Sequence, residues 1–256
     1  MAVGDRRLEG RNALVTGAAR RIGRAISLAL AREGANVAIH YQSSQVEAEE
    51  LAAEIEGLGL RAVALRADLS DRGELESLVG RAREALGKIE ILVNNASIFP
   101  ADTLETVDLE SLERNLEINA WAPLVLTRAF AAQTERGYVV NLLDSRVSGF
   151  DRTHVAYILS KHVLATLTRI SALELAPGIA VNGIAPGLIL PPPGKDEDYV
   201  DRLARTVPLQ RRGTPEDIAD AAVYLVTSEF VTGETIYVDG GRHLKEYSGD
   251  GPDSRK

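Results

Sequence analysis

"NALVTGAARRIG", residues 12–23, joins a short apolar run to a glycine turn and then to the start of an amphipathic segment. A glycine turn between a strand and a helix lets the backbone approach a phosphate, and the helix adds free N–H groups and the positive end of its dipole. Arg20 and Arg21 follow the glycine, and two guanidinium groups beside a helix N-terminus favour an anion site. Two alternatives remain open: a tight turn without a ligand, and a solvated charged face for one of the two arginines.

The rest of the chain also alternates between short apolar runs and longer amphipathic segments. This alternation is typical of βαβ units and predicts an α/β fold with a parallel sheet. We expect seven strands, at NALVTG, NVAIHY, RAVALRA, KIEILVNN, GYVVNLL, IAVNGIAP and TIYVDGG. We expect helices at residues 21–32, 45–58, 71–86, 109–134, 154–175 and 215–226, the last with a capping signature at Thr214, Pro215 and Asp217. The segment GLILPPPGKDEDYV, residues 187–200, places three prolines before a short helix and is a candidate substrate loop.

Composition limits the classes of protein that this sequence can represent. At 256 residues, 45% hydrophobic and 26% charged, the chain can bury a core and is globular rather than disordered. It has no cysteine, which excludes a disulfide framework, a thiolate nucleophile and a cysteine-ligated metal, and we predict no metal site. A net charge of -8 argues against nucleic-acid and anionic-membrane partners. Without a signal-like apolar core or a run of about 18 apolar residues, we expect a cytoplasmic protein with no membrane anchor.

The end of the second predicted strand bears on the choice of dinucleotide. Enzymes that bind NAD usually carry Asp or Glu about 20 residues past the glycine turn, where it would repel a 2'-phosphate. Here residues 39–45 read IHYQSSQ and contain no acid. Ser43 and Ser44 can donate to a phosphate and Arg20 can supply charge, which favours NADP. Ser44 has a second explanation, because SQVE, residues 44–47, matches a capping box with Glu47.

Several motifs follow one another in a fixed order: TGAARRIG, ADLS at residues 67–70, NNAS at residues 94–97, Asn119, Tyr157 with Lys161, and PGL at residues 186–188. In this order and spacing they resemble the short-chain dehydrogenase/reductase family over residues 8–244. The resemblance implies one Rossmann-like domain, with a doubly wound parallel sheet of seven strands in the order 3-2-1-4-5-6-7, and assembly as a homotetramer. Residues 1–7 and 245–256, which include the polar tail YSGDGPDSRK, are expected to be flexible termini.

The resemblance also implies roles for individual residues. Tyr157 would donate a proton, Lys161 would hold the nicotinamide ribose and lower the pKa of the tyrosine, and Asn119 would support a proton relay. The residues that it places around the cofactor are Gly17, Arg20, Arg21, Ile22, His40, Tyr41, Ser43, Ser44, Asp68, Leu69, Asn95, Ala96, Ser97, Tyr157, Lys161, Pro186, Gly187 and Leu188. The spacing of four between the tyrosine and the lysine puts both side chains on one helix face, and an exposed helix pair is the alternative.

The position thirteen residues before the tyrosine departs from the common family pattern. Most members carry a serine there, and this chain has Asp144. An ionised aspartate only accepts hydrogen bonds, so it would repel a ketone oxygen that gains negative charge and would suit a substrate with N–H groups. Ser145 becomes the equivalent residue if the register slips by one, because only one of two successive strand residues faces a cleft.

Two further departures concern the substrate. Arg21 replaces the middle glycine of the turn, where it can reach both a pyrophosphate and a planar substrate. Phe99, just past the fourth strand, can form one wall of a slot for a flat heterocycle or can be a buried rim aromatic. With the Asp-Tyr-Lys set, these residues resemble the pteridine reductase branch, in which the matching residues bind and reduce a pterin stacked against NADPH. Ser97 matches a branch residue that contacts cofactor and pterin.

The sequence therefore predicts NADPH-dependent reduction of a 7,8-dihydropterin to a tetrahydropterin, with oxidised pterin or folate as further candidate substrates. Asp144 would pair with Tyr157 to protonate a ring nitrogen as hydride reaches the adjacent carbon. The expected substrate-binding residues are Arg21, Ser97, Phe99, Asp144 and Tyr157. A 3-oxoacyl-type carbonyl reductase, with Ser145 in the serine role, is the alternative enzyme. A catalytically silent NADP(H)-binding regulatory protein is the alternative from another class, and the intact Tyr157, Lys161 and Asn119 count against it.

Overall fold

The computed structural model describes residues 6–191, 194 and 196–245, and it places seven parallel strands in one sheet. Each strand falls within one of the predicted runs: β1 Asn12–Val15, β2 Asn36–Tyr41, β3 Ala62–Arg66, β4 Ile91–Asn94, β5 Gly137–Leu142, β6 Ile179–Pro186 and β7 Thr235–Val238. Their order is β3-β2-β1-β4-β5-β6-β7 and every pairing is parallel. The predicted α/β class, strand count and strand order are confirmed.

Strands β1 and β4 form the buried centre of the sheet. All four residues of each strand are buried. Parallel strands covered on both faces carry continuous apolar runs rather than alternating ones, and ALV in β1 and ILV in β4 are such runs. Because the strand order reverses at this pair, the crevice outside their carboxyl ends is where doubly wound sheets bind ligands.

Eight α-helices lie within the described residues and cover both faces of the sheet. They are α1 Arg21–Arg32, α2 Gln45–Glu56, α3 Arg72–Leu86, α4 Leu109–Leu116, α5 Ala122–Ala131, α6 Val155–Leu175, α7 Glu197–Ala204 and α8 Pro215–Thr227. One apolar cluster packs α1, α2 and α8 on one face, and a second packs α3, α5 and α6 on the other. The predicted capping at α8 is confirmed, because Thr214 and Asp217 exchange both bonds of a capping box.

The predicted helix at residues 109–134 is wrong in its middle. The chain forms α4, then a π-helical turn at Glu117–Trp121, then α5. Pro123 lies in the first turn of α5 and has no N–H to donate to the carbonyl of Asn119, so a regular α-helical pattern is interrupted there. The wider turn leaves Asn119 fully buried, facing the interior.

The short helix expected after the prolines is α7, while Pro192, Pro193 and Lys195 of that segment lie outside the described residues. Residues 1–5 and 246–256, which include the tail expected to be flexible, also lie outside them. Arg7 lies in the segment predicted to be a flexible terminus, and its Nε donates to Glu33 Oε2 at 2.9 Å. No helix in the described part of the chain is long and apolar enough to cross a bilayer.

Candidate active site

A cavity of about 620 Å³ lies at the carboxyl ends of the central strands, an ordinary size for a small-molecule site. The predicted site residues that line it are Arg21, Ile22, Asn95, Ser97, Phe99, Asp144, Tyr157, Lys161, Pro186, Gly187 and Leu188. The predicted site residues outside its lining are Gly17, Arg20, His40, Tyr41, Ser43, Ser44, Asp68, Leu69, Ala96 and Asn119. The fold thus gathers the residues predicted for chemistry in one place, apart from Asn119.

The turn between β1 and α1 leaves the start of the helix open to the cavity. Gly17 has φ +59°, and a Cβ there would come within 3.0 Å of Ala96 Cα. Arg21 has φ +54°, a left-handed conformation that costs a non-glycine residue roughly 1–3 kcal/mol. Arg20 precedes the helix and makes no side-chain capping bond. The first-turn N–H groups therefore lack a side-chain acceptor, which suits an anionic ligand.

Thr16 and Asn95 fasten this turn to the segment after β4. Thr16 Oγ1 accepts from the backbone N–H groups of Asn95 at 2.9 Å and Ala96 at 3.0 Å. In return, Asn95 Nδ2 donates to the carbonyls of Thr16 at 2.8 Å and Gly17 at 3.0 Å. The side of the cavity formed by these two segments is therefore rigid.

His40 supports the turn and is not accessible to a ligand through its ring. It is 2% exposed, its Nδ1 accepts from Gly17 N–H at 3.0 Å, and its Nε2 lies 3.1 Å from the carbonyl oxygen of Ala67. Burial lowers the pKa of His40 to about 4, so the ring is neutral. The ring therefore has a structural role, and a contact of His40 with a cofactor stays a prediction for its other atoms.

Arg20 and Ser44 also differ from the sequence-based expectation. Ser44 precedes α2 without a side-chain capping bond, so the expected capping box is absent. Glu47 contacts the guanidinium of Arg20 instead. Their side chains are 58% and 37% exposed, and exposed pairs of this kind contribute little to stability. Arg20 can therefore exchange Glu47 for an anionic ligand at small cost.

The other predicted residues beyond the cavity lie at the ends of β2 and β3. Tyr41 is half-buried and Ser43 is exposed. Asp68 accepts from Ser70 N–H at 2.9 Å and from its hydroxyl at 2.7 Å, which shapes the loop after β3. Leu69 is buried.

Asn119 joins the segment after β4 to α6. Its Nδ2 donates to the Ile98 carbonyl at 3.1 Å and to Ser160 Oγ at 3.0 Å. Its Oδ1 accepts from Ser97 Oγ at 3.0 Å and from Ile98 N–H at 2.9 Å. Asn119 thereby holds the cavity wall from behind, without facing the cavity itself.

Tyr157 and Lys161 both point from α6 towards the cavity. Lys161 Nζ donates to the Leu142 carbonyl at 2.7 Å and lies 5.7 Å from the centroid of the Tyr157 ring. Both residues are buried. Burial lowers the pKa of Lys161 to about 8, against a smaller opposing effect of the Asp144 charge.

Of the two candidates past the end of β5, Asp144 and Ser145, only Asp144 lines the cavity. Its Oδ2 accepts from the Tyr157 hydroxyl at 3.1 Å, and the residue lines the cavity. Ser145 is 1% exposed, and its Oγ has no hydrogen-bond partner in the described part of the chain. Both residues lie past the end of β5, Asp144 as the N-cap of a 3-10 helix and Ser145 as its first residue, and only Asp144 lines the cavity.

Three residues that the sequence did not single out complete this wall. Arg146 donates to Asp144 through Nε at 2.9 Å and Nη2 at 2.8 Å, and its Nη1 contacts Asp151. Asp151 Oδ2 lies 2.9 Å from His154 Nδ1. The only sequence signal is the short spacing of opposite charges in DSR, which is too common to mark a site.

The ionisation of Asp144 and Tyr157 follows from these contacts. Burial opposes ionisation of Asp144, but the charge and hydrogen bonds of Arg146 outweigh it, and the pKa of Asp144 lies below its ordinary value. Burial and then the charge of Asp144 raise the pKa of Tyr157 well above its ordinary value. The expectation that Lys161 lowers this pKa stays a prediction, and in the structure burial and the nearby carboxylate have the larger effects on Tyr157. The lowered pKa of Asp144 favours a role as a hydrogen-bond acceptor over a role as a proton carrier.

Phe99 is packed more fully than a free slot wall would be. Its ring stacks on His154 with centroids 3.9 Å apart and 15° between planes. It meets Tyr157 edge to face at 4.5 Å, and Arg146 Cζ lies 5.3 Å from its centroid. Because His154 covers one face, only the remaining surface of the ring can contact a flat substrate.

The cavity is more basic than the chain as a whole. Its charged lining residues are Arg21, Arg146, Lys161 and Arg242 against Asp144 and Asp151. This excess of cations, in a chain of net charge -8, fits an anionic cofactor. Across residues 6–191, 194 and 196–245, no cluster of three or more metal-ligating side chains could hold a metal ion.

Comparison with known proteins gives consistent matches over almost the whole chain. Residues 17–243 match the family model described as enoyl-(acyl carrier protein) reductase. The chain is 36% identical over 253 residues to an L-rhamnose 1-dehydrogenase (NAD(P)(+)) of Sphingomonas sp., covering 93% of this chain and 98% of that protein. It is 31% identical over 242 residues to the 3-oxoacyl-[acyl-carrier-protein] reductase FabG of Staphylococcus epidermidis, covering 91% and 99%. The crystal structure of FolM alternative dihydrofolate reductase 1 from Brucella canis, complexed with NADP, superposes with a TM-score of 0.88 at 36% identity, covering 95% of this chain and 98% of that one.

The buried ammonium of Lys161 predicts a pH effect on stability. Its pKa falls from 10.5 to about 8 on folding, so its contribution is present above the unfolded value and is lost as the pH falls through about 8. Relative to Lys161→Met, the wild type should therefore gain about 3 kcal/mol of unfolding free energy between about pH 8 and 10.5. Urea unfolding of both proteins without cofactor measures this difference. A difference that does not change with pH would mean that Lys161 titrates normally.

Proposed function

The chain belongs to the short-chain dehydrogenase/reductase family, and we propose that it is an NADPH-dependent reductase of the C=N bond of a 7,8-dihydropterin. The observation that carries the substrate class is the wall formed by Asp144, an ionised acceptor that faces the cavity beside the Tyr157 hydroxyl. Pterin rings present N–H groups, which such a wall can bind. The resemblance to an alternative dihydrofolate reductase supports the same class.

The cofactor site fits NADP(H) on several independent grounds. The start of α1 has no side-chain cap, and Arg21 and Ile22 bring that end of the helix to the cavity. Residues 39–45 contain no acid that would repel a 2'-phosphate, and Arg20 lies nearby with only an exposed partner, Glu47. The Brucella canis relative is crystallised with NADP. When bound, NADPH supplies the hydride.

The proposed reaction consumes one proton in addition to the hydride of NADPH. Hydride adds to the carbon of the C=N bond, a proton adds to its nitrogen, and NADPH leaves as NADP⁺, so dihydropterin becomes tetrahydropterin. Tyr157 is the proton donor, because it keeps its proton while Asp144 has lost its own. Asp144 accepts from the tyrosine and from a substrate N–H group, and it orients both.

Other residues of the wall position the substrate and cofactor. Lys161, with one donor on the Leu142 carbonyl, has further N–H groups for a cofactor ribose. Arg21 bonds the Pro191 carbonyl through Nη2 at 2.9 Å, which ties the turn after β1 to the segment after β6. Ser97 and the open surface of Phe99 face the same space and contact the flat ring of the substrate.

The alternative of a 3-oxoacyl-type carbonyl reductase has one supporting observation, the 31% identity to FabG. It requires a hydroxyl donor at the strand end, and Ser145 is buried away from the cavity. A silent NADP(H)-binding protein would not need the buried pair formed by Asp144 and Tyr157. Both alternatives are outcomes of the test below.

We also propose the predicted homotetramer. Helix α6 exposes an apolar stripe made by Leu159, Val163, Ile170 and Leu173. Their spacing puts them on one face of the helix, and a contiguous apolar face of this kind is usual at an interface between subunits.

The cofactor assignment makes a prediction about Glu47. Glu47→Gln should tighten NADPH binding about two- to threefold, because it releases Arg20 for the 2'-phosphate, and it should leave NADH binding unchanged. Arg20→Gln should weaken NADPH binding about tenfold and reduce its salt dependence. Nicotinamide fluorescence titration measures both. Glu49→Gln is the control, because Glu49 contacts Gln45 on the same helix instead. NADH bound as tightly as NADPH by the wild type would contradict the assignment.

The substrate assignment is tested on neighbouring residues. Wild-type protein should oxidise NADPH with 7,8-dihydrobiopterin, and Asp144→Ser should lower kcat/KM by about 100-fold or more, since a hydroxyl does not replace a charged acceptor. Ser145→Ala should match the wild type, because its Oγ makes no hydrogen bond within the described residues. NADPH binding reports whether each variant is folded. If the wild type turned over 3-oxoacyl thioesters and Ser145→Ala lost this activity, the protein would be a carbonyl reductase. If neither substrate were turned over, a silent protein would be favoured.

A further inference from the structure

Arg146 holds Asp144 from three directions. Its Nε donates to Oδ1 at 2.9 Å and its Nη2 to Oδ2 at 2.8 Å, while its backbone N–H donates to Oδ1 at 2.8 Å. The side chains of both residues are 13% exposed. A planar fork of this kind fixes a carboxylate in orientation as well as in charge. The orientation leaves Oδ2 free to accept from Tyr157.

Arg146 is itself held from the other side. Its Nη1 contacts Asp151, whose Oδ1 accepts from Thr153 N–H at 2.8 Å and whose Oδ2 lies 2.9 Å from His154 Nδ1. Arg146 also lies over the Phe99 ring, with its Cζ 5.3 Å from the ring centroid. The guanidinium therefore has one position, set by two carboxylates and a ring.

Besides Arg146, other charged or titratable groups also face Asp144. Tyr157 and Lys161 approach from α6, and Arg242 from the turn at Arg242–Leu244. Lys161 gives its bond to a backbone carbonyl, and the charge of Arg242 has a smaller effect on the pKa of Asp144 than that of Arg146. Arg146 is therefore the cation that determines the state of Asp144.

We propose that Arg146 is a positioning residue that fixes Asp144 as an ionised acceptor, and that it thereby makes the site select N–H donors over ketone oxygens. This inference rests on the proposed function. Without Arg146, burial would favour the neutral carboxyl group. A neutral carboxyl has an O–H donor, which is what the hydroxyl of a carbonyl reductase offers a ketone. Arg146 would then separate two substrate classes through the protonation of one side chain.

Pterin binding tests the selection. Biopterin would be titrated with the NADP⁺ complex from about pH 5 to 8, a range in which the wild-type Kd should be nearly constant because Asp144 stays ionised. Arg146→Met should bind about tenfold more weakly or worse, with a Kd that rises as the pH falls. Arg146→Lys should restore part of the affinity and flatten the profile. Arg152→Met, an exposed neighbour outside the cavity, is the control and should match the wild type. A loss in Arg146→Met that is equal at every pH, with no recovery in the lysine variant, would overturn the proposal.

A second measurement needs no substrate. Urea unfolding gives the stability that Asp144 adds relative to Asp144→Asn, with Arg146 present and in the Arg146→Met background. With Arg146, the folded pKa of Asp144 is lowered, so its contribution is present above its ordinary value and is lost as the pH falls. With methionine, burial raises the folded pKa, so the contribution is present at low pH and is lost as the pH rises. The slope of this stability contribution against pH should therefore have opposite signs in the Arg146 and Arg146→Met backgrounds.

The two measurements separate this proposal from the proposed function. If the wild type binds and reduces no pterin but the slope reverses, the positioning by Arg146 stands and the pterin assignment fails. If pterins are reduced and the slope keeps its sign, the positioning by Arg146 is overturned and the assignment stands.

Discussion

Asp144 remains ionised in a buried wall because a permanent cation, the Arg146 guanidinium, contacts it. Guanidinium suits the task because it does not titrate and because its fork matches the two carboxylate oxygens. The rest of the site follows from this pair. Tyr157 keeps its proton because it is buried and donates to a charged neighbour. Phe99 lies against Arg146 and stacks on His154. The wall then offers one fixed acceptor and one fixed proton donor side by side.

The sheet explains why residues from distant parts of the sequence meet at this wall. In a parallel sheet the carboxyl ends of all strands lie at one edge, and β1 and β4 are adjacent although two strands and three helices separate them in sequence. The reciprocal bonds between Thr16 and Asn95 join the two segments that leave these strands. Asn119 joins the second of them to α6. Rigid support of this kind holds a site in one geometry before any ligand arrives.

The regular parts of the fold were predictable because they depend on local patterns. The apolar runs of the seven strands, the glycine turn after β1 and the capping box at Thr214 each require only residues close in sequence. The π-helical turn was missed because one proline interrupts a segment that is otherwise amphipathic throughout. It was the missing N–H of Pro123, rather than a change of hydrophobic period, that altered the helix.

The parts of the site that escaped prediction depend on where side chains turn. Tyr157, Lys161 and Asp144 could be found by spacing, but nothing in DSR shows that Arg146 folds back onto Asp144 within a 3-10 turn. The bond from Gly17 N–H to His40 could not be predicted either, because the two groups meet only when the turn has formed.

The protonation state of Asp144 is the central physical claim, and infrared difference spectroscopy measures it directly. Wild-type protein and Asp144→Asn would be compared at neutral pH with NADP⁺ and biopterin bound. The account predicts that the wild type gains carboxylate stretching bands relative to the variant, with no carbonyl band of a protonated acid. A protonated-acid band that disappears in Asp144→Asn would contradict it, because Asp144 would then be a hydrogen-bond donor of the kind that a ketone requires.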